Sequence, residues 1–333
     1  MTSAATSHTQ GDYRSPWWLP GGHAQTIYPY FLPRATVAYR RERVATPDGD
    51  FWEFDWADPS GSDPGAPATP LIVLFHGLEG NSGSHYARAL MAAAGMLGWR
   101  GVIPHFRGCG GELNHRPRAY HSGDHEEVGA MLAAIRVRVP SATTVCAVGV
   151  SLGGSALLNW LGRMGTTAAR TVSAAAAIST PLDLTAAGTA IGEGLNRIYT
   201  RHFLATLVPK AIAMARRFPG TLDEETIRRV RTMHDFDDAV TAPLHGFGGA
   251  ADYWHRASSK PWLRELSVPT LVLNATNDPF VPAASLPGPG EASRHVVLEQ
   301  PATGGHSGFV ARPFPGRHDW LPRRLLDFFL RGR

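Results

Sequence analysis

The pentapeptide Gly149-Val150-Ser151-Leu152-Gly153 constrains this chain more than any other stretch. It fits G-x-S-x-G, a sharp strand-to-helix turn that lifts a serine hydroxyl clear of the backbone. The flanks fit as well. Thr144-Val145-Cys146-Ala147-Val148 is a short apolar run rich in β-formers, and Ser155–Leu161 has good helix formers with apolar residues at helical spacing. A turn this tight admits only small residues beside the serine, hence Gly149 and Gly153. It also aims the free N–H groups of a helix N-terminus at the hydroxyl.

Strand and helix alternate around this element. Leu71–Phe75 is a continuous apolar run suited to a strand buried on both faces of a parallel sheet. His85–Leu97 reads as a helix, Arg100–Pro104 as a strand, and Asp124–Val137 as a helix capped by Asp124, with Glu127 placed to complete a capping box. After the serine turn come strands at Thr171–Ile178 and Thr270–Asn274, the apolar run His295–Leu298 and a last helix near Trp320–Leu330. The fold class is therefore α/β, a mostly parallel sheet flanked by helices, with functional loops at the strand C-terminal ends. Between Leu182 and Leu263 the alternation stops, and two helical pieces, Leu184–Phe218 and Asp223–His234, surround a Pro219-Gly220 break. This segment, about 182–262, reads as a helical cap inserted over the active-site face. Residues 1–15 read as a disordered tail, Trp17–Pro33 as an irregular arm and Ser60–Thr69 as a loop with little to order it. The remainder, 16–333, reads as one domain.

Composition removes several functional classes. With 32 basic and 28 acidic residues the net charge is +4, and no long basic run exists to track a nucleic acid. Weak attraction to anionic membrane surfaces is all this charge supports. No apolar run reaches the length of a membrane span, and the polar start Met1–Gln10 lacks the pattern of a secretory signal. Two cysteines cannot make a disulfide framework: Cys146 falls in an apolar strand, and Cys109 in a Gly-rich loop where partial exposure is expected. A cytoplasmic protein is the expectation.

A serine hydroxyl needs a base to become a nucleophile, and the base needs an orienting acid. On a sheet of this kind the acid follows the serine in the chain and the histidine follows the acid. Asp278 lies in Ala275-Thr276-Asn277-Asp278-Pro279, on the loop beyond strand Thr270–Asn274, where the acid belongs. Asp183, after the preceding strand, competes with it. His306, in Thr303-Gly304-Gly305-His306-Ser307-Gly308, is the best base among 15 histidines, with His318 its rival. Two N–H groups should receive the oxyanion. Leu152 offers one, and Leu78, in His76-Gly77-Leu78-Glu79-Gly80, offers the other because Gly77 lets the backbone turn it inward. His76 itself reads as structural. His121 and His125 are four residues apart, yet Gly123 and a helix start at Asp124 separate them and no third ligand has suggestive spacing. No metal or cofactor is expected.

Together these residues resemble the YheT-like branch of the α/β-hydrolases, which also takes in yeast medium-chain fatty-acid ethyl-ester synthase/esterases and mammalian membrane-anchored lipases. The resemblance spans about 16–330. It rests on Trp18-Leu19-Pro20 with His23-Ala24-Gln25-Thr26, on His76–Gly80, and on Phe106-Arg107-Gly108-Cys109-Gly110-Gly111. Tyr120–Asp124, Gly149–Gly154, Ala242–Phe247, Asn277–Phe280 and Gly304–Phe309 complete it. The stretches around 106–124 and 242–247 are the most specific. The resemblance implies Ser151 as nucleophile, Asp278 as acid and His306 as base. It implies an esterase acting on short- to medium-chain acyl esters, a small-molecule substrate class. Three alternatives stand beside the carboxylesterase: an alcohol acyltransferase, a lipase or thioesterase with the same triad, and a catalytically silent binding protein on the hydrolase fold.

Overall fold

A computed structural model describes the backbone of Ser7–Thr9 and residues 12–59 and 69–331. Nine strands form one sheet among these residues: β1 (Ser7–Thr9), β2 (Arg40–Ala45), β3 (Phe51–Ala57), β4 (Leu71–Phe75), β5 (Arg100–His105), β6 (Val145–Val150), β7 (Ala174–Ile178), β8 (Thr270–Leu273) and β9 (Val296–Glu299). Their spatial order is β1-β9-β8-β7-β6-β4-β5-β3-β2. Only β3 runs against the rest, antiparallel to both β2 and β5.

The alternation of side chains along each strand divides the core in two. In β4, Leu71, Val73 and Phe75 point to one face, while Ile72 and Leu74 point to the other. The first face is covered by α3 (His125–Arg136) and α4 (Leu152–Met164), and the second by α2 (His85–Met96) and α11 (Trp320–Arg331). All five residues of β4 are buried, as a strand covered on both faces requires.

Connectivity then places the site. From β4 the chain crosses by α2 to β5 on one side, and returns by α3 to β6 on the other side of β4. The loops leaving the C-terminal ends of β4 and β6 therefore diverge, opening a crevice at this switch point. One loop carries Leu78 and the other carries Ser151.

Between β7 and β8 the inserted segment forms α5 (Leu184–Ile191), α6 (Arg197–Arg217), α7 (Glu224–Arg229) and α8 (Met233–Phe236). A π-helical turn at Asp237–Thr241, α9 (Ala242–His245) and α10 (Ala250–Ala257) complete it. Leu204, Leu207, Ala211, Ile227 and Phe236 give this cap a small core of its own. The expected Leu184–Phe218 helix is two helices, interrupted at residues 192–196.

The N-terminal expectations need revision. Ser7–Thr9 pairs in parallel with Val297–Glu299 rather than lying in a tail. Tyr13 is buried, with its ring edge-on to Phe309 and Trp320 and its hydroxyl donating to the Val310 carbonyl at 2.7 Å. The rest of 1–11, and 60–68 of the expected Ser60–Thr69 loop, lie outside the described residues. The irregular arm contains a short helix, α1 (Gly22–Ile27), and a 3-10 turn at Tyr28–Phe31. No helix among the described residues is long and apolar enough to cross a membrane.

Candidate active site

Ser151 sits at the end of β6 with φ 53° and ψ −121°, a strained conformation for a residue with a side chain. Its N–H donates to the Ile178 carbonyl at 2.8 Å, which fixes the turn against β7. The glycines around it answer to close approach. A Cβ at Gly149 would lie 2.5 Å from the backbone of 153–154, and one at Gly153 would lie 2.4 Å from the Phe75 carbonyl oxygen.

The structure brings Ser151, His306 and Asp278 into one hydrogen-bonded row. Ser151 Oγ is 2.9 Å from His306 Nε2, and His306 Nδ1 is 2.9 Å from Asp278 Oδ2. A carboxylate beside Nδ1 selects the tautomer with the proton there, leaving Nε2 to accept from the serine hydroxyl. The Asp278 carboxylate is fully buried, and its Oδ1 accepts from the Phe280 N–H at 2.8 Å. The Phe280 ring packs 4.2 Å from the imidazole and limits its rotation.

Leu78 and Leu152 both border the cavity at Ser151, and among the described residues neither N–H has a protein acceptor. Gly77 brings Leu78 there by close approach: a Cβ at 77 would sit 3.2 Å from Ser151 Cβ. The left-handed residue of this loop is Glu79 instead, at φ 55°. Its N–H donates to the Tyr120 hydroxyl at 2.8 Å, and its carboxylate pairs with Lys210 of the cap at 2.8 Å. The cavity, about 200 Å³, runs beneath the cap and is lined chiefly by apolar groups, among them Leu184, Ile191, Phe203, Leu207, Met214 and Phe236.

An α/β hydrolase fold family model matches residues 70–313, a span that contains all three residues of the row. The Escherichia coli K12 protein named "Putative esterase YheT" is 36% identical over 309 residues, which cover 92% of this chain and 89% of that one. The chain is a YheT-like α/β-hydrolase. Human phospholipase ABHD3 is 28% identical, covering 96% of this α/β-hydrolase and 78% of itself. The solved Pyrococcus furiosus esterase Pf2001 superposes with a TM-score of 0.58 at 15% identity, over 90% of this chain and 96% of its own, a likeness of fold.

The competing residues have other tasks. Asp183 caps α5, its Oδ1 accepting from the Ala186 N–H at 3.1 Å. His318 is half-buried, bonds the Pro29 carbonyl at 3.1 Å and stacks on His85. His121 Nδ1 accepts from the Gly123 N–H, and its ring packs on His245, while His125 bonds the Gly123 carbonyl. Among the described residues no group of three or more His, Cys, Asp or Glu is placed to hold a metal ion. Cys109 is buried rather than partly exposed, and burial pushes its thiol up to about 12. Glu127 leaves the capping box half made: its N–H bonds Asp124, but its carboxylate turns inward to Trp52 and Arg107.

His76 is wholly buried. Its Nδ1–H donates to the Gly77 carbonyl at 2.8 Å and its Nε2 accepts from the Phe106 N–H at 3.1 Å, so the neutral ring ties β5 to the Leu78 loop. Burial pushes His76 and His85 down to about 3 and His245 to about 4; His105, His121 and His318 also fall below the ordinary range, chiefly through burial. Burial raises Asp124 and Asp237, which oppose the effect, but the six histidines outnumber them. Below about 6.5 the unfolded chain takes up protons that the folded histidines refuse, so stability falls as pH falls. Each such histidine contributes up to about 1.4 kcal/mol per pH unit until its folded pKa is reached. Urea unfolding at pH 7.0 and 5.0 should show a clear loss of stability at the lower pH. A flat profile over this range would contradict the burial of neutral histidines.

Proposed function

We propose that this α/β-hydrolase is a serine carboxylesterase acting on short- to medium-chain acyl esters. The observation that carries the proposal is the row Ser151–His306–Asp278, ending beside two unpartnered N–H groups in an apolar cavity. Relatives named esterase, phospholipase and monoacylglycerol lipase support a carboxylic-ester substrate.

Ser151 Oγ attacks the ester carbonyl carbon as its proton passes to His306 Nε2. The new C–O bond places a negative charge on the carbonyl oxygen, which the N–H groups of Leu78 and Leu152 receive. Asp278 stabilises the imidazolium and keeps its orientation. The tetrahedral intermediate collapses, the bond to the leaving alcohol breaks, and the alcohol takes the proton from Nε2. Water, deprotonated by the same nitrogen, then attacks the acyl-enzyme, releasing the acid and restoring Ser151. A fluorophosphonate should label Ser151, and p-nitrophenyl esters should turn over while matched amides and thioesters lag. An unlabelled, inactive folded protein would favour a binding role for the fold; a preference for thioesters would replace the substrate class.

The cavity sets a second expectation. Each methylene buried beside Phe203 and Met214 contributes about 0.8 kcal/mol, roughly a fourfold gain in kcat/KM. The value should rise through the short acyl chains and turn over in the medium range. Phe203→Ser should flatten that rise more than it slows acetate ester hydrolysis. Phe203 suits this test because it is half-buried, whereas Leu207 belongs to the cap's own core. A steady fall from acetate upward in the unmodified protein would show that the cap does not hold the acyl chain.

A further inference from the structure

The stretch His23-Ala24-Gln25-Thr26 has no part in the chemistry above, yet the side chains of Gln25 and Thr26 end on the loops that carry Asp278 and His306. We propose that the N-terminal arm is a positioning element for His306, acting through Thr26 and Gln25; this rests on the reading of His306 as the base.

Thr26 Oγ accepts the N–H of His306 itself at 2.9 Å and donates to the Gly22 carbonyl at 2.7 Å. The hydroxyl of Tyr199, from the cap, lies 3.1 Å from Nδ1 of His23 in the same arm. Gln25 is wholly buried and uses both ends of its amide. Its Oε1 accepts from the Gly304 N–H at 2.7 Å and from Asn277 Nδ2 at 3.1 Å, while its Nε2 donates to the Leu19 carbonyl at 2.9 Å. Asn277 Oδ1 in turn accepts from the Gly305 N–H at 3.0 Å. One amide thus fixes the residue before the acid and the residue two before the base, setting the distance between their loops.

The backbones interlock to match. A Cβ at Gly308 would lie 2.0 Å from the Gln25 carbonyl oxygen, one at Gly305 would lie 2.8 Å from the arm's backbone, and one at Gly22 would lie 1.9 Å from the Asn277 carbonyl oxygen. Three glycines at 304, 305 and 308 would leave the base loop with wide backbone freedom if nothing held it. The arm supplies the hold, through bonds to the backbone N–H groups of Gly304 and His306 and to the side chain of Asn277. A brace of this kind acts on the rate: a catalytic group displaced by about 1 Å can cost on the order of 10²-fold.

The test compares Thr26→Val, which keeps the shape and removes the hydroxyl, with Thr26→Ser, which keeps it. In Thr26→Val we expect kcat to fall about tenfold or more with KM held, a loss in line with one hydrogen bond and a displaced base. The rate of fluorophosphonate labelling should fall in parallel, and Thr26→Ser should stay within about threefold of the unmodified protein in both. Should Thr26→Val fail to fold, Thr26→Ala removes the same hydroxyl without added branching and carries the same expectation. Unchanged kcat in a folded hydroxyl-free variant, even with a lowered Tm, would overturn the positioning role and leave the triad standing. Mapping the label in the unmodified protein separates the two proposals: if it falls on a residue other than Ser151, the triad reading fails first and takes this one with it.

Discussion

Ser151→Ala should abolish fluorophosphonate labelling and lower ester turnover on the order of 10⁶-fold, the scale of loss when a nucleophile of this kind is removed. The expectation is large because the hydroxyl is where the bond forms, while its neighbours remain. The change removes one hydrogen bond, to His306 Nε2, and leaves the bonds from the Ser151 backbone to Ile178, Gly154 and Ser155. Alanine is no more strained than serine at φ 53°, so the variant should fold and melt close to the unmodified protein. Ser151→Gly makes an independent check. It should be equally inactive yet melt at a higher temperature, because glycine adopts this backbone without steric cost. Labelling that persists in a folded Ser151→Ala protein would place the nucleophile elsewhere.

Where sequence reasoning succeeded, local pattern and covalent order were enough. Leu71–Phe75 has five apolar residues in a row, and the strand has those limits. Gly149 and Gly153 bracket the serine for a steric reason that sequence states outright. Asp278 and His306 were legible as candidates because each follows a strand and the order along the chain is restrictive. Gln25 and Thr26 were not. They are polar residues in a segment broken by proline and glycine, without period, and their partners lie 252 to 280 residues away. The family resemblance marked His23–Thr26 without a role, and the glycine spacing at 304, 305 and 308 announces a close approach without naming what approaches. The cap failed differently. A continuous Leu184–Phe218 helix would put Ile191, Leu195, Ile198, Phe203 and Leu207 on one broad apolar face, yet Leu195 is 69% and Ile198 57% exposed. Periodicity shows which residues share a side of a helix, and the chain breaks at 192–196, so the face does not continue across it. Glu127 shows a third kind of failure: its spacing from Asp124 suits a capping box, but Trp52 and the buried Arg107 compete for the carboxylate and hold it inside.

Asp278→Asn should leave the fold intact and lower kcat by about 10⁴-fold, through the tautomer of His306 rather than through lost packing. As the carboxylate, Asp278 accepts the Nδ1 proton on Oδ2 and the Phe280 N–H on Oδ1. The Phe280 bond claims the carbonyl oxygen of the asparagine, which leaves its NH₂ facing Nδ1. That group donates, so the favoured imidazole carries its proton on Nε2, where it meets the serine proton instead of accepting it. Volume and the Phe280 ring contact are unchanged, so binding should hold and KM should move little. Asp183 supplies the control, since it is the other carboxylate that follows a strand. Its carboxylate caps α5, so Asp183→Ala should cost about 1 kcal/mol of stability and leave turnover nearly intact. Steady-state kinetics on the two folded variants decides between them. If Asp183→Ala proves the more damaging to kcat, or Asp278→Asn retains most of its activity, the acid is not Asp278 and the row at Ser151 needs a different account.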